Sequence, residues 1–284
     1  MAKPQFLTVR PGVRLAHISR DGVAGRTGFF WLSGFKSDMT GTKAEALSAH
    51  ATATGRPCVR FDYSGHDQSE GRFEDGTLSA WLDDTFQVFT ALARAPMVIV
   101  GSSMGGFLAL LLARRLAAED PEALARIRGF LLIAPAADMT EDMMWSELSE
   151  GARRAIMREG VWLRPSAYGD PYPITRPLIE DGRRHLILKD GLDMHCPVRI
   201  LHGEDDADVP WEHGFKLYRA LRGDDIQFTL IKGGDHRLSS PRDISTIIAT
   251  AERLAVMADA EGSPPAPAGP PDSSDRADDS PSRP

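Results

Sequence analysis

Ser103 lies at the centre of the pentapeptide GSSMG, which matches the pattern G-x-S-x-G. The apolar residues 97–100 before it predict a buried strand, and the leucine- and alanine-rich residues 106–118 predict a helix. A serine on a sharp strand-to-helix turn is exposed to substrate and can act as a nucleophile. Gly101 and Gly105 would let the backbone pack closely around that turn, which explains glycine in the most apolar run of the chain.

A serine nucleophile needs a general base and a carboxylate that orients the base. In a chain with this kind of turn the expected order is Ser, then Asp or Glu, then His. The segment GGDHR follows the predicted strand Ile226–Ile231 and presents His236 as the base. Residue types alone leave the acid open, because acidic residues follow two predicted strands. The candidates are Glu204, Asp205, Asp206 and Asp208 in LHGEDDADVP, and Asp138 after GFLLIA.

The oxyanion of an acyl-transfer intermediate needs two N–H donors. One donor comes from the residue after the nucleophile, here Met104, and the other from the loop after an earlier strand. The segment FFWLSGFKSDMTGTKA passes from an apolar strand through a polar loop into a helix, so the backbone N–H of Phe35 is the candidate second donor. The alternative is that this loop is a plain connection between a strand and a helix.

The remaining histidines do not lie in a late loop after a strand. His202, for example, lies at a strand end but before the acidic loop, so we expect it to be a packing residue. No pair of histidines has metal-ligand spacing beside cysteine or carboxylate ligands. The sequence therefore predicts neither a metal nor a cofactor.

The elements that must position these residues alternate along the chain. Strands are predicted at residues 13–18, Gly28–Leu32, 58–62, 97–100, 129–134, 198–202 and Ile226–Ile231. Helices are predicted at residues 42–51, Leu78–Leu92, 106–118, 211–221 and 244–257. Strands separated by helices predict an α/β fold with a mostly parallel central sheet and helices on both faces. Such sheets carry their sites at the carboxyl ends of the strands.

Residues 1–261 predict one α/β domain, with an insertion at about residues 138–196. No convincing strand is visible in the insertion, and it is far longer than a normal connection, so we expect an inserted helical cap. Its large apolar side chains could contact an acyl chain or simply pack the cap onto the sheet. They are Met143, Met144, Trp145, Met157 and Trp162. Residues 262–284 are rich in proline and aspartate and predict a disordered tail.

Composition excludes several classes of protein. The net charge of -7 argues against a nucleic-acid partner. The two cysteines suit a reducing compartment, and the N-terminal residues show neither a secretory signal nor a transit peptide. The most apolar run is broken by GSSMGG, so it does not predict a membrane-spanning helix. We expect a cytoplasmic protein that acts on a small-molecule or acylated substrate, and the oligomeric state stays open.

Several segments together resemble one group of the α/β-hydrolases. These segments are GFKSDMTGTKA, RFDYSGHDQSEG, VGSSMGG, GVWLRPSAY, CPVRILHGEDDADVPW and GGDHR. The group contains the mitochondrial palmitoyl-protein thioesterase and mycophenolic-acid acyl-glucuronide esterase of animals, with bacterial relatives. The resemblance spans about residues 28–257 and implies the α/β-hydrolase fold. It implies Ser103 as nucleophile, His236 as base and Phe35, beside Gly34, as an oxyanion donor. The pattern HGxxDxxVP places Asp206 ahead of the other acids.

The resemblance also implies an activity, namely hydrolysis of acyl esters or thioesters through an acyl-enzyme. Two alternatives stay open. The first is a hydrolase of C–C bonds or of lactones that uses the same three side chains. The second is a non-catalytic binding protein with this fold, although a binder has no need of all three.

Overall fold

The computed structural model describes residues 3–166 and 169–262. The strands are β1 (Gln5–Arg10), β2 (Val13–Arg20), β3 (Gly28–Leu32), β4 (Cys58–Phe61), β5 (Met97–Ser102), β6 (Ile127–Ile133), β7 (Val161–Ser166), β8 (Gly169–Thr175), β9 (Leu192–Asp193), β10 (Val198–Gly203), β11 (Leu221–Arg222) and β12 (Ile226–Ile231). The helices are α1 (Thr42–Thr54), α2 (Leu78–Leu92), α3 (Met104–Glu119), α4 (Pro121–Leu124), α5 (Glu150–Glu159), α6 (Arg176–Gly182), α7 (Trp211–Ala220) and α8 (Pro241–Gly262). A 3-10 turn spans Phe73–Asp75, and a π-helical turn spans Thr140–Trp145.

The central sheet has the strand order β1-β2-β4-β3-β5-β6-β10-β12. Strand β2 is antiparallel to β1 and β4, and the other neighbouring pairs are parallel. This arrangement confirms the predicted mostly parallel sheet. Strand β1 was not predicted, because it lies at the edge of the sheet and all six of its residues are exposed or half-buried.

Helices cover both faces of the sheet. Successive residues of a strand point to opposite faces, and the central strand β5 follows this rule. Ile99 belongs to a large hydrophobic cluster with residues of α2 and α3, whereas Val98 and Val100 belong to a second cluster with residues of α1 and α8. Each face of the sheet is therefore buried under helices, and its loops are left to form a site.

The insertion at residues 138–196 differs from its prediction. It contains the π-helical turn, α5 and α6, but it also contains the antiparallel hairpin of β7 and β8. The expectation that the insertion contains no strand is therefore wrong, although three helical segments are present as expected. The prolines in VWLRPS and GDPYPIT weaken the strand signal in the sequence. They fit here because both strands of a two-stranded ribbon are edge strands, where a missing N–H need not break a ladder.

The predicted disordered tail lies outside the described residues, apart from its first residue at the end of α8. Within residues 3–166 and 169–262, none of the helices combines the length and the apolar character needed to cross a membrane.

Candidate active site

The turn between β5 and α3 holds Ser103 in an unusual backbone conformation, with φ 55° and ψ -117°. A positive φ is strained for a residue with a side chain and needs support from its surroundings. Two hydrogen bonds to the end of β6 and the residues after it supply part of this support. The Ser103 N–H donates to the carbonyl of Ile133 at 2.8 Å, and the Ala136 N–H donates to the carbonyl of Ser103 at 3.1 Å. The serine is thus fixed at the carboxyl end of the central strand, with its side chain half-buried.

Steric crowding explains the glycines on either side of the serine. A Cβ atom on Gly101 would lie 2.4 Å from the carbonyl oxygen of Gly105. A Cβ atom on Gly105 would lie 2.1 Å from the carbonyl oxygen of Leu32. Both neighbours are backbone atoms, so neither can rotate away. The close approach of β3, β5 and α3 therefore requires glycine at both positions.

We predict that Gly105→Ala lowers the free energy of unfolding by about 3 kcal/mol, the upper part of the range for overpacked sites. Denaturant unfolding followed by circular dichroism measures this effect. Gly151→Ala is the matched control, because a Cβ there would have its nearest neighbour at 3.8 Å. The control is expected to be neutral or slightly stabilising, since alanine has the higher helix propensity. Equal stability of Gly105→Ala and the wild type would contradict the steric account.

The structure brings Ser103, His236 and Asp206 into one hydrogen-bonded chain. His236 lies in the loop after β12, and its Nε2 is 3.2 Å from Ser103 Oγ. Its Nδ1 is 2.8 Å from Oδ2 of Asp206, which lies in the loop after β10. The Asp206 side chain is completely buried, whereas that of His236 is 21% exposed. The carboxylate is thus shielded from solvent, whereas the imidazole and the serine are only half-buried.

Asp206 is surrounded by hydrogen-bond donors. Its Oδ1 accepts from the N–H groups of Asp208 at 3.0 Å and Val209 at 2.8 Å. Its Oδ2 faces both His236 and the Nε2 of His202, the latter at 3.3 Å. Burial alone would raise the pKa of Asp206, but the hydrogen bonds from His202 and His236, the charge interaction with His236 and the Val209 N–H together lower it well below its usual range. The acid is therefore charged at neutral pH and can hold the Nδ1–H of His236, which leaves Nε2 free to accept a proton.

Of the five candidate acids, the described structure places only Asp206 within hydrogen-bond distance of His236. Glu204 pairs with Lys232 at 2.6 Å. Asp205 and Asp208 are exposed. Asp138 accepts hydrogen bonds from the N–H groups of Ile187 at 2.8 Å and Leu188 at 3.1 Å. It therefore ties the beginning of the insertion to a later part of the insertion, and burial raises its pKa.

The two predicted oxyanion donors flank the serine. Gly34 lies beside it, since a Cβ on Gly34 would be 3.4 Å from Ser103 Cβ, and Phe35 follows directly. Met104 is the first residue of α3, so its N–H lies at the positive end of a helix. Within the described part of the chain, neither the Phe35 N–H nor the Met104 N–H donates to another group. Both are therefore available to a developing negative charge.

The hairpin of the insertion reaches this same loop. The Tyr172 ring of β8 lies 5.7 Å from the Phe35 ring, and Lys36 Nζ lies 5.4 Å from the Tyr172 ring centre. The Phe35 ring also contacts Phe73 and Trp81, with centroid distances of 5.1 and 5.8 Å. A cluster of aromatic rings thus lies at the predicted oxyanion loop, and one of these rings, Tyr172, belongs to the insertion.

The cap residues singled out from the sequence are mostly engaged in packing. Met144 is buried, and Met143, Trp145 and Trp162 pack against the main hydrophobic core. Met157 is 39% exposed. Packing accounts for four of the five, and contact with an acyl chain stays a prediction for all of them.

Sequence reasoning missed two residues of the site. His202 is completely buried, and its Nε2 donates to the carbonyl of Val209 at 2.8 Å while facing Asp206. The available signal in the sequence was that His202 lies only four residues before the candidate acid Asp206 in HGEDD. Tyr172 was missed because its strand was not predicted. In residues 3–166 and 169–262, no group of three or more His, Cys, Asp or Glu side chains could hold a metal ion.

The chain matches a family model and is similar to several known proteins. The model of the alpha/beta hydrolase family matches residues 23–247. The palmitoyl-protein thioesterase ABHD10, mitochondrial, of Homo sapiens is 33% identical over 229 residues, which are 80% of this chain and 72% of that protein. A putative hydrolase from Agrobacterium vitis superposes with a TM-score of 0.86 at 38% identity, covering 89% of this chain and 98% of that chain. The alpha/beta hydrolase domain-containing protein 10 from mouse gives a TM-score of 0.80 at 30% identity, covering 90% and 99%.

Proposed function

The chain belongs to the alpha/beta hydrolase family, and from this premise we propose that it cleaves carboxylic acyl esters or thioesters through an acyl-enzyme on Ser103. The observation that carries the proposal is the hydrogen-bonded chain from Ser103 through His236 to Asp206. It lies beside the N–H groups of Phe35 and Met104, which have no hydrogen-bond acceptor among the described residues. Each part supplies what acyl transfer needs, namely a nucleophile, a base, an orienting charge and an oxyanion site.

In the acylation half of the proposed reaction, Ser103 Oγ attacks the carbonyl carbon while His236 Nε2 takes the hydroxyl proton. Asp206 stabilises the imidazolium that forms, because its carboxylate is buried and charged. The oxyanion of the tetrahedral intermediate accepts hydrogen bonds from the N–H groups of Met104 and Phe35. When the intermediate collapses, the C–O or C–S bond breaks and His236 gives its proton to the leaving oxygen or sulfur.

Deacylation uses the same catalytic groups, with water as the nucleophile and Ser103 Oγ as the leaving group. His236 removes a proton from water, and the resulting hydroxide attacks the acyl carbon of the ester on Ser103. The second tetrahedral intermediate collapses, the bond between the acyl carbon and Ser103 Oγ breaks, and His236 returns the proton to Oγ. The products are a carboxylic acid and the regenerated enzyme.

The thioester part of the proposal is supported by the relatives, since the human protein is named a palmitoyl-protein thioesterase. We therefore propose that the acyl group of this chain's substrate is long and apolar. The half-buried aromatic side chains of Phe35, Tyr172 and Trp162 are consistent with such a group, because they offer apolar surface near or within the hairpin.

A substrate screen tests this proposal. We expect hydrolysis of p-nitrophenyl esters and of the matching acyl-coenzyme A thioesters across chain lengths from acetyl to palmitoyl. Lactones and a 1,3-diketone are the comparison substrates, and Ser103→Ala is the control for background hydrolysis. Turnover of the diketone or lactones without turnover of any ester or thioester would favour the C–C hydrolase or lactonase. Absence of turnover on every substrate, with an unreactive serine, would favour a binding protein.

A further inference from the structure

One short segment lies beside the candidate nucleophile at one end and contacts the loop of the predicted base at the other. Residues 34–43, GFKSDMTGTK, begin beside Ser103 with the loop that presents the Phe35 N–H. They end in the first turn of α1 with Lys43. The Lys43 ammonium donates a hydrogen bond to the backbone carbonyl of Arg237, the residue next to His236. The segment therefore joins the predicted oxyanion loop to the loop of the predicted base.

The middle of this segment is held at Met39. The Met39 N–H donates to Asp62 Oδ1 at 2.7 Å, and the Met39 carbonyl accepts from Arg60 Nη1 at 2.8 Å. Both Asp62 and Arg60 are almost completely buried. The Tyr63 hydroxyl donates to the Ser33 carbonyl at 3.1 Å, just before the segment begins. The motif RFDY thus fixes the backbone from which Phe35 and Lys43 extend.

The surroundings of Lys43 indicate that its hydrogen bond stabilises the loop of His236 and does not stabilise helix α1. A cation in the first turn of a helix is unfavourable, because the positive end of the helix dipole lies there. Burial and the nearby charge of Arg237 lower the pKa of Lys43 to about 8, while Asp235 and Asp243 act in the opposite direction. Lys43 is half-buried, and its ammonium contacts the loop of His236. Stabilisation of α1 does not explain this contact.

Building on the proposed function, we infer that Lys43 is a positioning residue for His236. Its hydrogen bond to the Arg237 carbonyl fixes the position of the His236 loop relative to the Phe35 loop, so that His236 Nε2 stays within hydrogen-bond distance of Ser103 Oγ. The loop has local supports as well, from the Leu238 N–H to Asp235 Oδ1 at 2.9 Å and from the Asp205 N–H to the Gly234 carbonyl at 2.8 Å. Lys43 adds a support from the opposite side of the site.

Substitution of Lys43 tests the inference. For Lys43→Met we expect kcat to fall roughly 10- to 100-fold with KM changed less than about threefold, because misplacement of a catalytic group slows chemistry and not binding. Lys43→Arg is expected to recover most of kcat, because guanidinium can also donate to the carbonyl. Lys232→Met is the matched control, since Lys232 is the first residue of the same loop, is 86% exposed and pairs with Glu204. It should retain wild-type kcat.

Circular dichroism melting must show that each variant is folded at the assay temperature. If Lys43→Met is not folded, Lys43→Gln replaces it, because the shorter glutamine is expected to lose the contact. Wild-type kcat in the Met or Gln variant, a loss confined to KM, or failure of arginine to recover kcat would overturn the inference. Ser103→Ala separates the two claims. An active Ser103→Ala would refute the proposed function, whereas an inactive Ser103→Ala beside a normal Lys43→Met would refute only the role of Lys43.

Discussion

Replacement of Ser103 by alanine is expected to lower kcat for ester and thioester hydrolysis by at least roughly 10⁴-fold, because no acyl-enzyme can form. The fold should survive. In the described structure the serine hydroxyl forms a hydrogen bond only with His236, and the backbone hydrogen bonds of residue 103 do not depend on the side chain. We expect the free energy of unfolding to change by less than about 1 kcal/mol. Hydrolysis of a p-nitrophenyl ester and a denaturant unfolding curve measure the two effects.

Ser102→Ala is the matched control for this experiment. Ser102 is the neighbouring serine, is buried, and ends β5 without a hydrogen bond to His236 in the part of the chain that the structure describes. It should keep wild-type activity within a few-fold. Substantial hydrolysis by folded Ser103→Ala would remove the serine from the mechanism.

The second large effect is expected for Asp206→Asn, for which kcat should fall by roughly 10⁴-fold. Asparagine has almost the same shape but carries no charge, and its amide nitrogen cannot accept a hydrogen bond. It therefore neither stabilises an imidazolium nor enforces the tautomer with a free Nε2 on His236. Steady-state kinetics on the substrate used for Ser103→Ala measures the loss.

Asp205→Asn is the control, because its side chain is exposed and one position away. If Asp205→Asn loses activity and Asp206→Asn does not, the acid has been assigned to the wrong residue. Stability must be measured in parallel. The pKa of Asp206 is lowered in the folded state, so its charge contributes stability above the unfolded pKa of about 4, and this contribution is lost as pH falls through the folded pKa. Asp206→Asn is thus expected to be less stable at neutral pH, and rates must be compared at equal folded fraction.

The sheet could be predicted from the sequence because its central strands are short apolar runs with clear ends. Strand β5 is buried along its whole length, as are β3 and β10, so the apolar pattern and the buried strand coincide. The edge strand β1 and the hairpin of β7 and β8 lack this pattern. In β1 exposed positions interrupt the apolar pattern by which a strand is predicted, and in the hairpin prolines interrupt it.

The candidate site was predictable to the level of loops, and the resemblance to known hydrolases refined it to residues. The G-x-S-x-G pattern pointed to Ser103 and the chain order to His236, but neither could separate Asp206 from its acidic neighbours, because all of them are carboxylates near the ends of strands. The distinction depends on which carboxylate is buried and faces the imidazole. The contact of Lys43 with a backbone carbonyl was invisible for a related reason, since a carbonyl acceptor leaves no mark in the sequence.

Reaction with a fluorophosphonate probe tests the central claim most directly, because the probe forms a covalent adduct only with an activated nucleophile. The tryptic peptide of residues 95–114 contains both Ser102 and Ser103, so fragmentation of the labelled peptide must separate them. We predict one adduct per chain, located on Ser103, absent from Ser103→Ala and formed much more slowly in Asp206→Asn. An unlabelled wild-type protein, or an adduct elsewhere that persists in Ser103→Ala, would contradict the account.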